Sequence, residues 1–130
     1  MFQEFNVTTF AIIISTAPTD NRTLTALKYA KAILAQGHQI NGVFFYQHGV
    51  INANSYLQTP SDEINHLTAW DEFHKSTNTP MHLCISAAER RGLTDSNSPG
   101  YSHNIASHFT ISGLGELVVL TDKADKVVQL

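Results

Sequence analysis

The sequence predicts an α/β protein, a three-layer α/β/α sandwich around a mostly parallel five-stranded sheet. Three observations point there. Short apolar, β-branched runs recur without a period of two, which is how strands covered on both faces read. Segments with helical spacing separate them. Proline, glycine, asparagine and aspartate fall between the two kinds of segment.

Residues 7–14 hold Val7, Phe10 and Ile12-Ile13-Ile14, the first strand. A polar turn containing Pro18 follows, and Asp20 or Asn21 can cap the next helix. Leu24, Leu27, Ala30, Ile33 and Leu34 keep helical spacing, and Gly37 is its stop. Ile40-Asn41-Gly42-Val43-Phe44-Phe45-Tyr46 is the second strand and completes a right-handed βαβ unit. Residues 47–61, with His48, Gly49, Asn52, Asn54 and Tyr56, form a long connection, either a functional segment or a surface loop shaped by its turn residues. Pro60-Ser61-Asp62-Glu63 is expected to open the second helix with acidic residues in its first turn. Ile64, Leu67, Trp70 and Phe73 are its apolar stripe, which belongs to a core.

A third strand over residues 81–85 turns into a short helix ending on Arg90-Arg91-Gly92. Residues 93–107 are polar, contain Pro99-Gly100, and are expected to form an exposed, mobile loop near Cys84. Phe109-Thr110-Ile111 is the fourth strand. Ser112 is expected to cap the last helix, with Glu116 in its first turn and Leu114, Leu117 and Val118 facing the sheet. Val127 and Val128 centre a fifth strand over residues 125–130. No repeat, low-complexity tract or linker interrupts this order, and 130 residues fit one domain.

Composition removes several classes. A net charge of -3 argues against a broadly basic nucleic-acid surface. One cysteine cannot form an internal disulfide, and the apolar run at residues 10–14 is too short to span a bilayer. A cytoplasmic protein is the expectation. Seven histidines invite a metal, but no H-E-x-x-H or paired C-x-x-C is present, so no metal is expected. His82, two residues before Cys84, reads as a packed or hydrogen-bonded strand residue. The turn Ser15-Thr16-Ala17-Pro18-Thr19-Asp20-Asn21-Arg22-Thr23 resembles a flavodoxin-type phosphate loop but lacks glycine, so an ordinary βα turn is the simpler reading.

Cys84 stands where the third strand opens onto a helix, the place where open α/β sheets put their chemistry. A helix N-terminus favours the thiolate, the nucleophilic form of cysteine, and Arg90 and Arg91 are candidates for stabilising it further. Packing is the ordinary fate of a lone cysteine; position at the strand end is what points to chemistry.

Several segments in order carry a resemblance. They are Val43-Phe44-Phe45-Tyr46 with Gly49-Val50 and Asn52-Ala53-Asn54, Ser61-Asp62-Glu63 leading to Ala69-Trp70, and Cys84 with Ala87-Ala88 and Arg90-Arg91-Gly92. Phe109-Thr110-Ile111-Ser112-Gly113-Leu114-Gly115 and Asp125-Lys126-Val127-Val128 complete the set. Together they resemble the TusD/DsrE sulfurtransferase family, in its TusD branch. Thr16-Ala17-Pro18 departs from the glycine-proline turn of that branch, and residues 93–104 fit loosely. The resemblance implies a DsrE-like sandwich whose Cys84 carries sulfane sulfur as a persulfide, with no cofactor. It implies TusB-like and TusC-like partners in a heterohexamer, a TusA-like donor, a TusE-like acceptor and 2-thiouridine at the tRNA wobble position as the end point. Sulfur oxidation of the DsrE type and a non-catalytic scaffold are the alternatives. A flavin- or phosphate-binding domain is a further one. Phe44-Phe45-Tyr46 and the loop to Tyr56 are candidate docking surfaces for neighbouring subunits, unless the aromatics are core.

Overall fold

A computed structural model describes residues 5–95, 100 and 102–130. Among them the elements run β1 Thr9–Ile14, α1 Asn21–Ala35, β2 Gln39–Phe45, a 3-10 helix Gln47–Ala53, α2 His66–Thr77, β3 Met81–Cys84, α3 Ile85–Arg90, β4 Thr110–Ser112, α4 Leu114–Lys123 and β5 Lys126–Gln129. The five strands lie in the order β4-β3-β2-β1-β5. Every neighbouring pair is parallel, so the sheet is wholly rather than mostly parallel.

Alternation along the strands assigns the two faces. On one, Phe10 meets Tyr29 of α1 edge-on, and Phe45 meets Trp70 of α2 at 5.2 Å between ring centres. On the other, α4 crosses Gly42, where an added Cβ would come within 2.9 Å of Leu120. The bulge between Phe10 and Ala11 leaves Asn41 unpaired in the ladder, and its amide donates to the Leu120 carbonyl of α4 instead. Phe45, Trp70, Phe73 and Phe109 form an edge-to-face chain, each contact worth about 0.5–1.5 kcal/mol beyond simple burial.

Phe44 and Phe45 are fully buried, so they are core and not a docking face; Tyr56 is exposed. Asp20 caps α1 by accepting from the Arg22 amide, and Gly37 follows it in the left-handed region. The second helix starts later than its acidic signal suggested. Residues 60–63 close a turn through the Glu63 amide and the Pro60 carbonyl, Asn65 is the cap, and Ile64 is left outside the helix and exposed. Ser112 does not cap α4. It still belongs to β4, Gly113 takes the cap position, and the helix is thereby phased so that Leu120 is buried while Leu114 and Val118 face outward.

The two long connections are more structured than loops. Residues 47–53 are helical, with Gly49, Val50, Asn52 and Ala53 buried. Gly49 presses on the end of β1 so closely that a Cβ would overlap the Ile14 carbonyl. In the second connection Leu93 is buried, and Ser55 and Ala106 donate backbone bonds that tie it to the first. Its described part is therefore pinned rather than free, while Ser96–Pro99 and Tyr101 lie outside the described residues.

Candidate functional site

Strand β3 delivers Cys84 to the carboxyl edge of the sheet, as the last extended residue before α3. The strand forms because Met81 and Leu83 fill the core on one side while β2 and β4 satisfy its backbone on both edges. Small residues Ala87 and Ala88 let α3 lie close to the sheet, and Gly92 ends it in a left-handed turn. The 3-10 helix packs against both β3 and α3. Cys84 is 1% exposed.

The second connection is held against the end of α3 by Asn104. Its side-chain oxygen accepts from the Thr94 amide at 2.8 Å and its amide donates to the Gly92 carbonyl at 3.1 Å. The sequence did not single out Asn104; its signal is a lone asparagine between two polar stretches, which says nothing of its partners.

Arg90 and Arg91 stand at the other end of α3, about 9 Å along the axis from Cys84. Arg90 is exposed. Arg91 folds back, donating from Nη1 to the Ala87 carbonyl at 3.0 Å and from Nε to His48 Nδ1 at 3.4 Å. Its guanidinium thus ties α3 to the 3-10 helix.

His82 is hydrogen-bonded, as its strand position suggested. Its Nδ1 lies 2.9 Å from Ser112 Oγ and its Nε2 3.9 Å from Glu116 Oε1. Burial pushes the imidazole below its ordinary range, and Glu116 opposes that in part. His66 and His108 are also lowered, first by burial.

The hydroxyl-rich turn after β1 is consumed internally. Thr16 and Thr23 share a hydrogen bond of 2.8 Å, Thr23 donates to the Ala17 carbonyl, and Asn52 donates to the Thr16 carbonyl. These groups brace a βα turn. Among the described residues no three His, Cys, Asp or Glu side chains converge as a metal site would need, and no helix is long and apolar enough to cross a membrane.

The model of the DsrE/DsrF-like family matches residues 8–130. The chain belongs to that family. It is 43% identical over 107 residues to the sulfurtransferase TusD homolog of Pasteurella multocida, covering 81% of this chain and 85% of that protein. It is 41% identical over 111 residues to sulfurtransferase TusD of Cronobacter sakazakii, with the same coverage. Among solved structures the ychN protein from E. coli superposes with a TM-score of 0.74 at 21% identity, covering 96% of this chain and 100% of that one. That likeness is one of fold.

Proposed function

We propose that this DsrE/DsrF-like domain is the sulfur-carrying subunit of a sulfur relay, a sulfurtransferase that holds sulfane sulfur as a persulfide on Cys84. The carrying observation is position: the only cysteine of a chain with TusD-named relatives ends a central strand at the carboxyl edge of the sheet. The Cys84 thiolate attacks the outer sulfur of a donor persulfide. A sulfur–sulfur bond forms at Cys84, the donor's own breaks, and the donor leaves as a thiolate. An acceptor thiolate then attacks the outer sulfur of Cys84–S–SH and releases Cys84. The exchange needs neither metal nor organic cofactor. With no second cysteine, nothing in the chain can resolve the persulfide into an internal disulfide.

The partners that suit this reading are a TusA-like donor and a TusE-like acceptor, within a cytoplasmic heterohexamer of TusB-like and TusC-like subunits that feeds 2-thiouridine at the tRNA wobble position. The domain itself contacts neither nucleic acid nor membrane in this scheme. Arg90 and Arg91 contribute a long-range positive field to the thiolate rather than a contact. Burial of Cys84 favours a second reading, a non-catalytic scaffold whose cysteine only packs.

Trapping separates the two. Cys84 activated as a mixed disulfide and offered to a lysate is expected to exchange onto cysteine-bearing relay proteins, whose identity also tells tRNA thiolation from sulfur oxidation. Capture of no protein thiol under conditions in which Cys84 itself is modified supports the scaffold.

A further inference from the structure

Cys84 is firmly held on one side and loosely on the other. Before it, β3 is paired along both edges, and Met81 and Leu83 are buried. After it, α3 begins, with Cys84 as its cap residue and no side-chain bond at the cap. The helix has six residues, of which Ala87 and Ala88 are buried. Two methyl groups are little apolar area to hold an element in place. Its last turn closes on itself, the Leu93 amide donating to the Ala88 carbonyl. Beyond it the chain is pinned again, by buried Leu93 and by the Asn104 bond to the Gly92 carbonyl. Gly92 lies at that junction with φ +75°, and open space surrounds the place of a Cβ. A weakly anchored helix is thus strung between two fixed points.

One side chain ties it across. Arg91 Nη1 donates to the Ala87 carbonyl of α3, and its Nε donates to His48 Nδ1 of the 3-10 helix at 3.4 Å. Among the described residues no other side-chain hydrogen bond or ion pair joins the two helices. A guanidinium only donates, so His48 Nδ1 is the accepting nitrogen and the ring proton sits on Nε2. The 3-10 helix is a firm anchor. Gly49, next to His48, presses on the end of β1, and Asn52 donates to the carbonyls of Thr16 and Gly49.

We propose that release of α3 is the motion that exposes Cys84, and that the Arg91–His48 bond is its latch; the use of the latch rests on the sulfur-carrier reading. Displacing α3 turns the Cys84 peptide itself, because the helix begins at that residue. Arg91 and His48 are positioning residues that act on the thiol through α3. The latch also gives Arg91 an effect opposite in sign to its field. Losing the positive charge slows a thiolate reaction, whereas losing the latch speeds it.

The test is the rate at which Ellman's reagent labels Cys84 at one fixed pH. It compares wild type, Arg91→Ala, His48→Ala, His48→Gln and the double variant Arg91→Ala/His48→Ala. With reclosing fast, the rate follows the population of the open form. Either alanine is expected to raise it about five-fold, the worth of one hydrogen bond. The double variant reacts no faster than the single ones, because both remove the same bond. His48→Gln, whose side-chain oxygen accepts from Arg91, returns the rate to within about two-fold of wild type. The rate is also expected to stay flat in low urea, since a local opening exposes little surface. Equal rates in all five proteins, slower labelling in Arg91→Ala, additive gains, or a urea slope equal to that of global unfolding overturn the latch. Labelling needs no sulfur donor, so the two readings separate. Sulfur uptake with labelling unmoved by the variants defeats only the latch; the labelling pattern without sulfur uptake defeats the carrier.

Discussion

At 1% exposure, Cys84 meets a foreign sulfur only when part of the surrounding structure shifts aside. On the proposed carrier reading, transfer is gated by a local opening, whose free energy lies below that of global unfolding. Ellman's reagent is expected to react with the native thiol at least ten-fold more slowly than with the urea-unfolded chain; equal rates would contradict a covered cysteine. Three histidines make a separate prediction. His66, His82 and His108 are held below their ordinary range, chiefly by burial, so the folded state favours the neutral ring. As pH falls below the unfolded value of about 6.5, the unfolded chain binds protons first. Their contribution is complete above that value and is lost as pH falls toward the folded values. The urea midpoint should be lower at about pH 5.5 than at about pH 7.5, and less so in His66→Gln. Asp20, held at about 2 by its bonds to Arg22, and Asp71, lowered by Lys75, act in a more acidic window. An unchanged midpoint would contradict the buried-neutral assignment.

Two glycines show how differently the elements use the same residue. Gly49 has backbone where a Cβ would go, and backbone cannot swing away, so Gly49→Ala should cost about 3 kcal/mol or more and lower the melting temperature by roughly 10 °C. Gly115 sits in α4 with open space at its Cβ, and Gly115→Ala should stabilise by about 0.5–1 kcal/mol. Melting curves of the two variants check both signs at once. The helix boundaries show what the sequence carries and what it does not. Asp20 and Gly37 mark α1 because each makes its bond within its own helix end. Residues 60–63 look like a helix start by composition, but Asn65 offers a cap, and the choice between them depends on where the chain must enter the sheet layer. Replacing Asn65 by Ala should cost about 1 kcal/mol, and no loss would mean the helix starts elsewhere.

For the molecule as a whole, the succession of strands and helices along the chain was legible, because buried β-branched runs announce strands, whereas the order β4-β3-β2-β1-β5 across the sheet was not read. The site was legible only in part. Cys84 could be placed at a strand end from local pattern alone. Its neighbours could not, because Ser112 reaches His82 across 30 residues through the pairing of β3 with β4, and Asn104 reaches Gly92 through a loop closure. The outward side of α4 was read as core because an apolar stripe is the same in sequence whether its own sheet or another subunit covers it. Leu114, Val118 and Val119 are exposed there, and Val127 on the edge strand β5. In the proposed relay they are the face on which a related subunit would sit. Light scattering is expected to give a mass well above 14.3 kDa when the chain is co-expressed with TusB-like and TusC-like relatives, and Val118→Lys should reduce it. A monomer in both cases would rule out the assembly.

The carrier role itself is read most directly by weighing the intact protein after incubation with a sulfane-sulfur donor. Wild type should gain the mass of one sulfur atom, lose it on addition of a thiol, and Cys84→Ser should gain none. A wild type that takes up no sulfur, or a Cys84→Ser variant that takes up as much, would contradict Cys84 as the carrier.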